Sequence, residues 1–335
     1  VGSYAGQAIT TGRYNTAIGF ESLDAEDDGD KCTAIGYETL TAQTGTSGDV
    51  NNTAIGYQAG KGITTGTMNT IVGSLCGDAF DTNSENTFMG VSAGGGSSAD
   101  ADKCTAIGRL ALSGDVTADG QVAYGYAALK ALTSGADNTA IGYEASELIT
   151  TGASNVSIGY QAFTAADGTE SENVAIGKLA MGSVNHDGAD DNVAVGFNSL
   201  RGGTGELDFC VAIGAYALDS TASNDHTGSV AVGGYALAAL TSGTTNTAIG
   251  YKAMTSKTTG TQSVAVGYEA ELFNETNGKN VFIGYQSGRG ADGNTHYENT
   301  GVGNQSLYAV TTGGYNVAVG SEAGKAITTA AGNIA

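Results

Sequence analysis

Asn52-Thr53-Ala54-Ile55-Gly56-Tyr57-Gln58-Ala59 decides the fold, because nearly all of the 335-residue chain restates it. With Gly56 as position zero, counterparts fall at Gly2, Gly19, Gly36, Gly73, Gly90, Gly108, Gly125, Gly142, Gly159, Gly177, Gly196, Gly214, Gly233, Gly250, Gly267, Gly284, Gly303 and Gly320. These 19 glycines leave 18 gaps, eleven of 17 residues and the rest of 18, 19 or 20. A fixed period of this size is the signature of a solenoid, where each repeat is one coil and neighbours bury each other.

Position by position, the phrase has a physical meaning. The residue before the glycine is Ile or Val in 17 of 19 repeats, as at Ile18, Ile55, Ile141 and Ile249; Met89 and Tyr124 are the exceptions. Two places further back stands Thr or Val, with mostly Ala between. A β-branched, small, β-branched run is a strand whose successive side chains face opposite ways. The expectation is that the Ile/Val positions fill each coil's core. The flat Ala/Gly face would then pack against sister chains.

Three places after the glycine the residue is small in all 19 repeats, among them Ala59, Ser22, Thr39 and Cys76. That uniformity marks a crowded point. The phrase begins with Asn in 12 of 18 cases, including Asn15, Asn52, Asn69, Asn138 and Asn246, and stacked amides form hydrogen-bonded ladders. Many repeats end Thr-Thr-Gly, as at Gly66, Gly152 and Gly313, where a turn of positive φ is expected. Tyr or Phe follows the glycine in ten repeats, Tyr57, Tyr143 and Tyr251 among them. Those rings read either as a packing ladder along the array or as a surface for sugar rings.

The chain has no Pro, no Trp, 54 Gly and a formal charge of −21. Length alone suggests two domains, but the unbroken period argues for a single array over residues 1–335. Strong acidity disfavours nucleic acid as a partner. No apolar run approaches the ~18 residues that span a bilayer, and no signal peptide is visible. The acidic residues crowd into lengthened turns such as 24–30 and 188–191. They read as solvated loops that keep the array soluble. They also read as Ca²⁺ sites, with Asp27, Asp28, Asp30, Asp190 and Asp191 as candidate ligands, although no turn matches a known calcium loop. Calcium is the one cofactor these residues suggest.

The remaining chemistry is sparse. Cys32, Cys104 and Cys210 replace the ladder Asn and Cys76 the small residue, without metal-ligand spacing. They read as small buried substitutes, with disulfides between copies as the alternative. Gly90-Val91-Ser92-Ala93-Gly94 formally matches a serine-hydrolase elbow, but the repeat already explains Gly90 and Ala93. His186, His226 and His296 sit in separate turns with no catalytic or zinc pattern. No catalytic residue is assigned, and the chain is expected not to be an enzyme. A carbohydrate-degrading fibre enzyme would need acidic residues at fixed strand positions, whereas here they lie in the variable turns.

The Asn-Thr/Ser-Val/Ala-Ala-Ile-Gly phrase resembles the head repeats of trimeric autotransporter adhesins. It is still more similar to the Asn-Thr-Ala-Ile-Gly-Tyr repeats of bacteriophage tail fibres. The match covers essentially the whole chain, but these repeats run 17–20 residues against about 14 in the adhesin heads. The resemblance implies a left-handed parallel β-roll, three chains side by side, and an extracellular fibre attaching to a surface through a glycan or protein receptor. The chain is therefore expected to be an all-β solenoid of 19 coils, roughly 90 Å long at ~4.8 Å per coil. It is expected to self-associate and to have no membrane-inserted part. The alternative is an extracellular filament growing head to tail through open β-edges. Asn333-Ile334-Ala335 followed by Val1-Gly2 would complete one more phrase, so a longer array or end-to-end stacking is expected.

Overall fold

A computed structural model describes residues 1–44, 48–96, 101–205, 207–221 and 226–335. The chain divides into two compact units, Val1–Thr169 and Glu170–Ala335. Among the described residues there is no helix, and each unit is a stack of short parallel strands.

The first unit holds nine three-residue strands, each ending one residue before a repeat glycine, from Thr16–Ile18 to Val156–Ile158. The second holds another nine, from Val174–Ile176 to Val317–Val319. Within each unit every strand pairs in parallel with its counterpart one repeat away. Thr53, Ala54 and Ile55 lie beside Thr70, Ile71 and Val72, and Thr247, Ala248 and Ile249 beside Val264, Ala265 and Val266. This is the parallel β-solenoid that the period implied.

The backbone shows why the phrase repeats so strictly. Thr53 N–H donates to Asn69 O of the following coil at 2.8 Å, whereas Gly56 N–H donates to Ile35 O of the preceding coil at 2.9 Å. After the glycine the chain turns a corner through alternate left-handed residues, Gln58 (φ 53°) and Gly60 (φ 60°). Gln58 N–H reaches back to Tyr37 O at 2.8 Å, and Gly60 N–H reaches forward to Cys76 O at 2.9 Å. Each non-glycine residue in this conformation costs about 1 kcal/mol. The strain persists because it aims successive amides at neighbours on both sides.

The faces of the strand are the reverse of the sequence expectation. Ala54, Ala140 and Ala248 are fully buried, whereas Ile55, Ile141 and Ile249 are 37–40% exposed. A three-residue strand in a tight coil turns only its middle side chain inward, so the two β-branched residues share the outer face. Core bulk comes from other positions. Leu40, Leu129 and Leu237, four places after the glycine, and Ile149, Leu132 and Leu240, seven places after it, are fully buried. Interior volume is exchanged between these sites. Where Phe88 and Phe282 replace the strand Ala, Gly94 and Gly288 replace the Leu; a Cβ on them would come within 2.7 and 2.4 Å of the rings.

The Thr-Thr-Gly turns also differ from expectation. Gly66, Gly152 and Gly313 have no left-handed φ; that conformation falls on the residue before the ladder Asn, as at Asn51, Met68 and Asp137. Close approach explains the glycine instead, since a Cβ on Gly66 would meet Asn83 O at 2.2 Å. The lengthened turns carry small ladders of their own. Gly29–Asp30 pairs with Gly48–Asp49, and Leu207–Asp208 with His226–Thr227.

Candidate functional site

Three features could carry function: the outward strand face, the aromatic rows beside it, and the polar groups of the turns and core. The strand face presents two rows of β-branched side chains per unit. Ile18, Ile55 and Ile141 in the first unit, and Ile213, Ile249 and Ile283 in the second, are each 37–44% exposed. The strands bring these residues into line because the register advances by one repeat without slippage.

The aromatic residues stack on one another. Tyr37 and Tyr57 lie 5.3 Å apart at 7°, Tyr143 and Tyr160 5.2 Å apart at 6°, and Tyr268 and Tyr285 5.3 Å apart at 10°. Inside such a stack each ring face is taken by its neighbour, which supports the packing-ladder reading over sugar stacking. Glu38 joins this row. Its carboxyl is held at about 2 by Lys61, then by Tyr37 and Gln58. Tyr216 and Tyr235 also stack, at 5.0 Å and 12°, outside the ten aromatic sites that the repeat phrase offers. Ala215 and Gly234 hold the usual aromatic site there, and the ring comes one residue later.

The ladder asparagines lie inside the coils. Asn52 Oδ1 accepts from Asn69 N–H at 2.9 Å, and Asn52 Nδ2 donates to Gly66 O at 2.6 Å. Asn138 and Asn299 repeat the pattern, bonding Gly152 O at 2.9 Å and Gly313 O at 2.8 Å. Each amide thus ties one coil's strand to the next and also to its own Thr-Thr-Gly turn. The four cysteines are free and buried, and burial pushes Cys32, Cys104 and Cys210 up to about 11 and Cys76 to about 12. Their thiols are held neutral.

The acidic candidates separate. Asp27 and Asp28 come together with Glu26, one ligand oxygen from each lying within 4.8 Å of the others. Asp30 Oδ1 instead accepts from Arg13 N–H at 2.5 Å, and Asp190 Oδ1 from Ser171 N–H at 2.7 Å, while Asp191 is exposed. Glu26 is not among the sequence candidates, since it stands inside an acidic run. The signal was its position seven places after Gly19, which holds buried Ile63, Ile149 or Leu240 in other repeats.

The same position holds Lys257, which is fully buried with Glu271. Lys257 Nζ lies 3.3 Å from Glu271 Oε1 and donates to Asn277 O at 2.8 Å. Glu271 Oε1 also accepts from Asn274 and Asn280, both at 2.7 Å. His296 sits beside this pair, edge-on to Phe282 at 5.4 Å. Burial pushes its imidazole down to about 4, Lys257 acting in the same direction and Glu271 against it.

A histidine lowered in the folded state stabilises above the unfolded value of about 6.5 and loses that contribution as pH falls towards 4. The expected loss is about 3 kcal/mol over that window. Urea unfolding at pH 7, 5.5 and 4 measures it, and His296→Gln should flatten this part of the pH dependence. A pH profile unchanged by His296→Gln would contradict it.

No family model, curated protein or solved structure matches the chain. Among the described residues, no helix is long and apolar enough to cross a membrane.

Proposed function

We propose that this chain is a non-enzymatic fibre segment that mediates attachment to a surface outside the cell, assembled by lateral self-association of its outward strand faces. One observation carries the reading: within each unit the strands turn a β-branched pair outward, as at Thr139 and Ile141, with Met89 and Tyr124 taking the second place in two strands of the first unit. Soluble monomers rarely expose apolar rows repeated over such a length, and exposed rows of this kind mark association surfaces. The interior is filled by the chain's own Ala, Leu and Asn residues, so the outer face is what remains for a partner. A homotrimer, as in the phage-fibre and adhesin repeats that the phrase resembles, is the assembly proposed.

Light scattering on the 335-residue chain tests this. A trimer of the 33.2 kDa chain has a mass of about 100 kDa. Lysines at Ile55, Ile213, Ile249 and Ile283, each 38–40% exposed, would place like charges across the lateral interface. The expected result is a trimer for the native chain and a folded monomer for the four-lysine variant. A native mass that rises without limit with concentration would favour head-to-tail growth. A native monomer would contradict the proposal.

A further inference from the structure

The turn at residues 24–30 carries more negative charge than its surroundings neutralise. Glu26 is fully buried, and only one of its carboxylate oxygens is used, Oε1 accepting from Gly29 N–H at 2.7 Å. Oε2 is buried without a hydrogen-bond partner, as is Oδ1 of the nearby Asp24. Among the described residues no ion pair reaches Glu26, Asp27 or Asp28, and the adjacent cation, Lys31, is bonded to Asp49 at 2.6 Å. A buried carboxylate with an unused oxygen is costly unless a counter-charge meets it.

The turn is also built rather than merely acidic. Asp27 O accepts from Thr10, Thr11 and Gly12 N–H at 2.8, 3.1 and 3.3 Å, which pins the backbone between the two flanking side chains. Gly29 packs so closely beneath Glu26 that a Cβ there would lie 2.7 Å from Oε1 and 2.7 Å from Val50 Cγ2. The Glu26 carboxylate therefore has little freedom to swing out to water.

We propose that Glu26, Asp27 and Asp28 form a divalent-cation site suited to calcium, anchored by the buried Glu26 carboxylate. The donors are all carboxylate oxygens, the hard ligands that calcium prefers, and water completes the 6–8 positions on the open side. The group that comes together holds no Cys or His, the softer ligands that would select zinc. The bound ion clamps the first lengthened turn against the coil above it, through the Asp27 backbone.

Calcium titration calorimetry on the full chain in ~0.15 M salt tests this, because salt screens diffuse attraction to an acidic protein. The expected result is one saturable site per chain with a Kd on the order of 10⁻⁴–10⁻³ M. Glu26→Gln should abolish it. Asp28→Asn, at a half-exposed position that leaves folding intact, should weaken it about tenfold. Asp190→Asn with Asp191→Asn should leave it unchanged. Thermal melting gives a second readout, the native chain gaining about 3 °C in ~10 mM calcium. In EDTA, Glu26→Gln should melt higher than the native chain, since it removes an uncompensated buried charge. The absence of a saturable site up to ~10 mM, or equal affinity in the native chain and Asp28→Asn, overturns the proposal.

Discussion

Gly142→Ala is expected to destabilise its coil by at least ~4 kcal/mol, a large part of the 5–15 kcal/mol that holds a typical domain. Two effects combine. Gly142 has φ +145°, a conformation that is nearly glycine-only and costs other residues about 1–3 kcal/mol. Its added Cβ would also lie 2.2 Å from Gly159 O of the neighbouring coil. That oxygen belongs to backbone, so no side-chain rotation relieves the clash, and parting the coils breaks the hydrogen bonds between them. Gly320→Ala isolates the two terms within the same protein. Its φ is +140°, but the nearest atom to an added Cβ is Ala323 Cβ at 3.8 Å. It should lose only the conformational part. Urea unfolding followed by circular dichroism measures both, and equal losses at the two glycines would contradict the stacking explanation.

Lys257→Met is the second large effect, with an expected loss of about 3–5 kcal/mol. Removing Lys257 leaves the Glu271 carboxylate fully buried with amide donors but no cation. It also frees Asn277 O and Ser263 Oγ from their contacts with Nζ. The ion pair as a whole is worth much less than this loss, because two charges had to be desolvated to form it. The double change Lys257→Met with Glu271→Leu should therefore recover most of the stability, since neighbouring coils fill these two positions with Leu240 and Leu237. A double variant no more stable than Lys257→Met alone would show that packing, and not the unpaired charge, sets the loss.

Much of this fold was legible in the phrase around Gly56. The period gave the coils, and the strict glycine reflects its φ of +144° together with the overlying Gly73 O. The faces were not legible. A β-branched, small, β-branched run looks like a bulky core face beside a flat outer one, and that reading fails when the strand is only three residues long. What resolves it is the volume exchange between Phe88 and Gly94 and between Phe282 and Gly288, which marks those positions as sharing one interior. The Thr-Thr-Gly glycines, expected as left-handed turns, are required by close approach instead, which the turn composition did not signal. Of the acidic candidates, proximity in the chain could not separate Asp27 and Asp28 from Asp30, whose carboxylate accepts from the Arg13 backbone N–H of the preceding coil. Glu26 and Lys257 show that a charge at a position otherwise held by Ile or Leu is the better signal.

The most direct test of the inside-out arrangement is thiol labelling of two neighbouring residues in one strand. Ala140→Cys and Ile141→Cys would each be made in the four-lysine chain, where the lateral face is free. The background is silent, because the four native cysteines are buried. Ala140 is fully buried and Ile141 is 37% exposed. The expected result is one rapidly reacting thiol for Ile141→Cys and none for Ala140→Cys until the protein is unfolded. A reactive Ala140→Cys beside a protected Ile141→Cys would turn the strand over, and the association face with it.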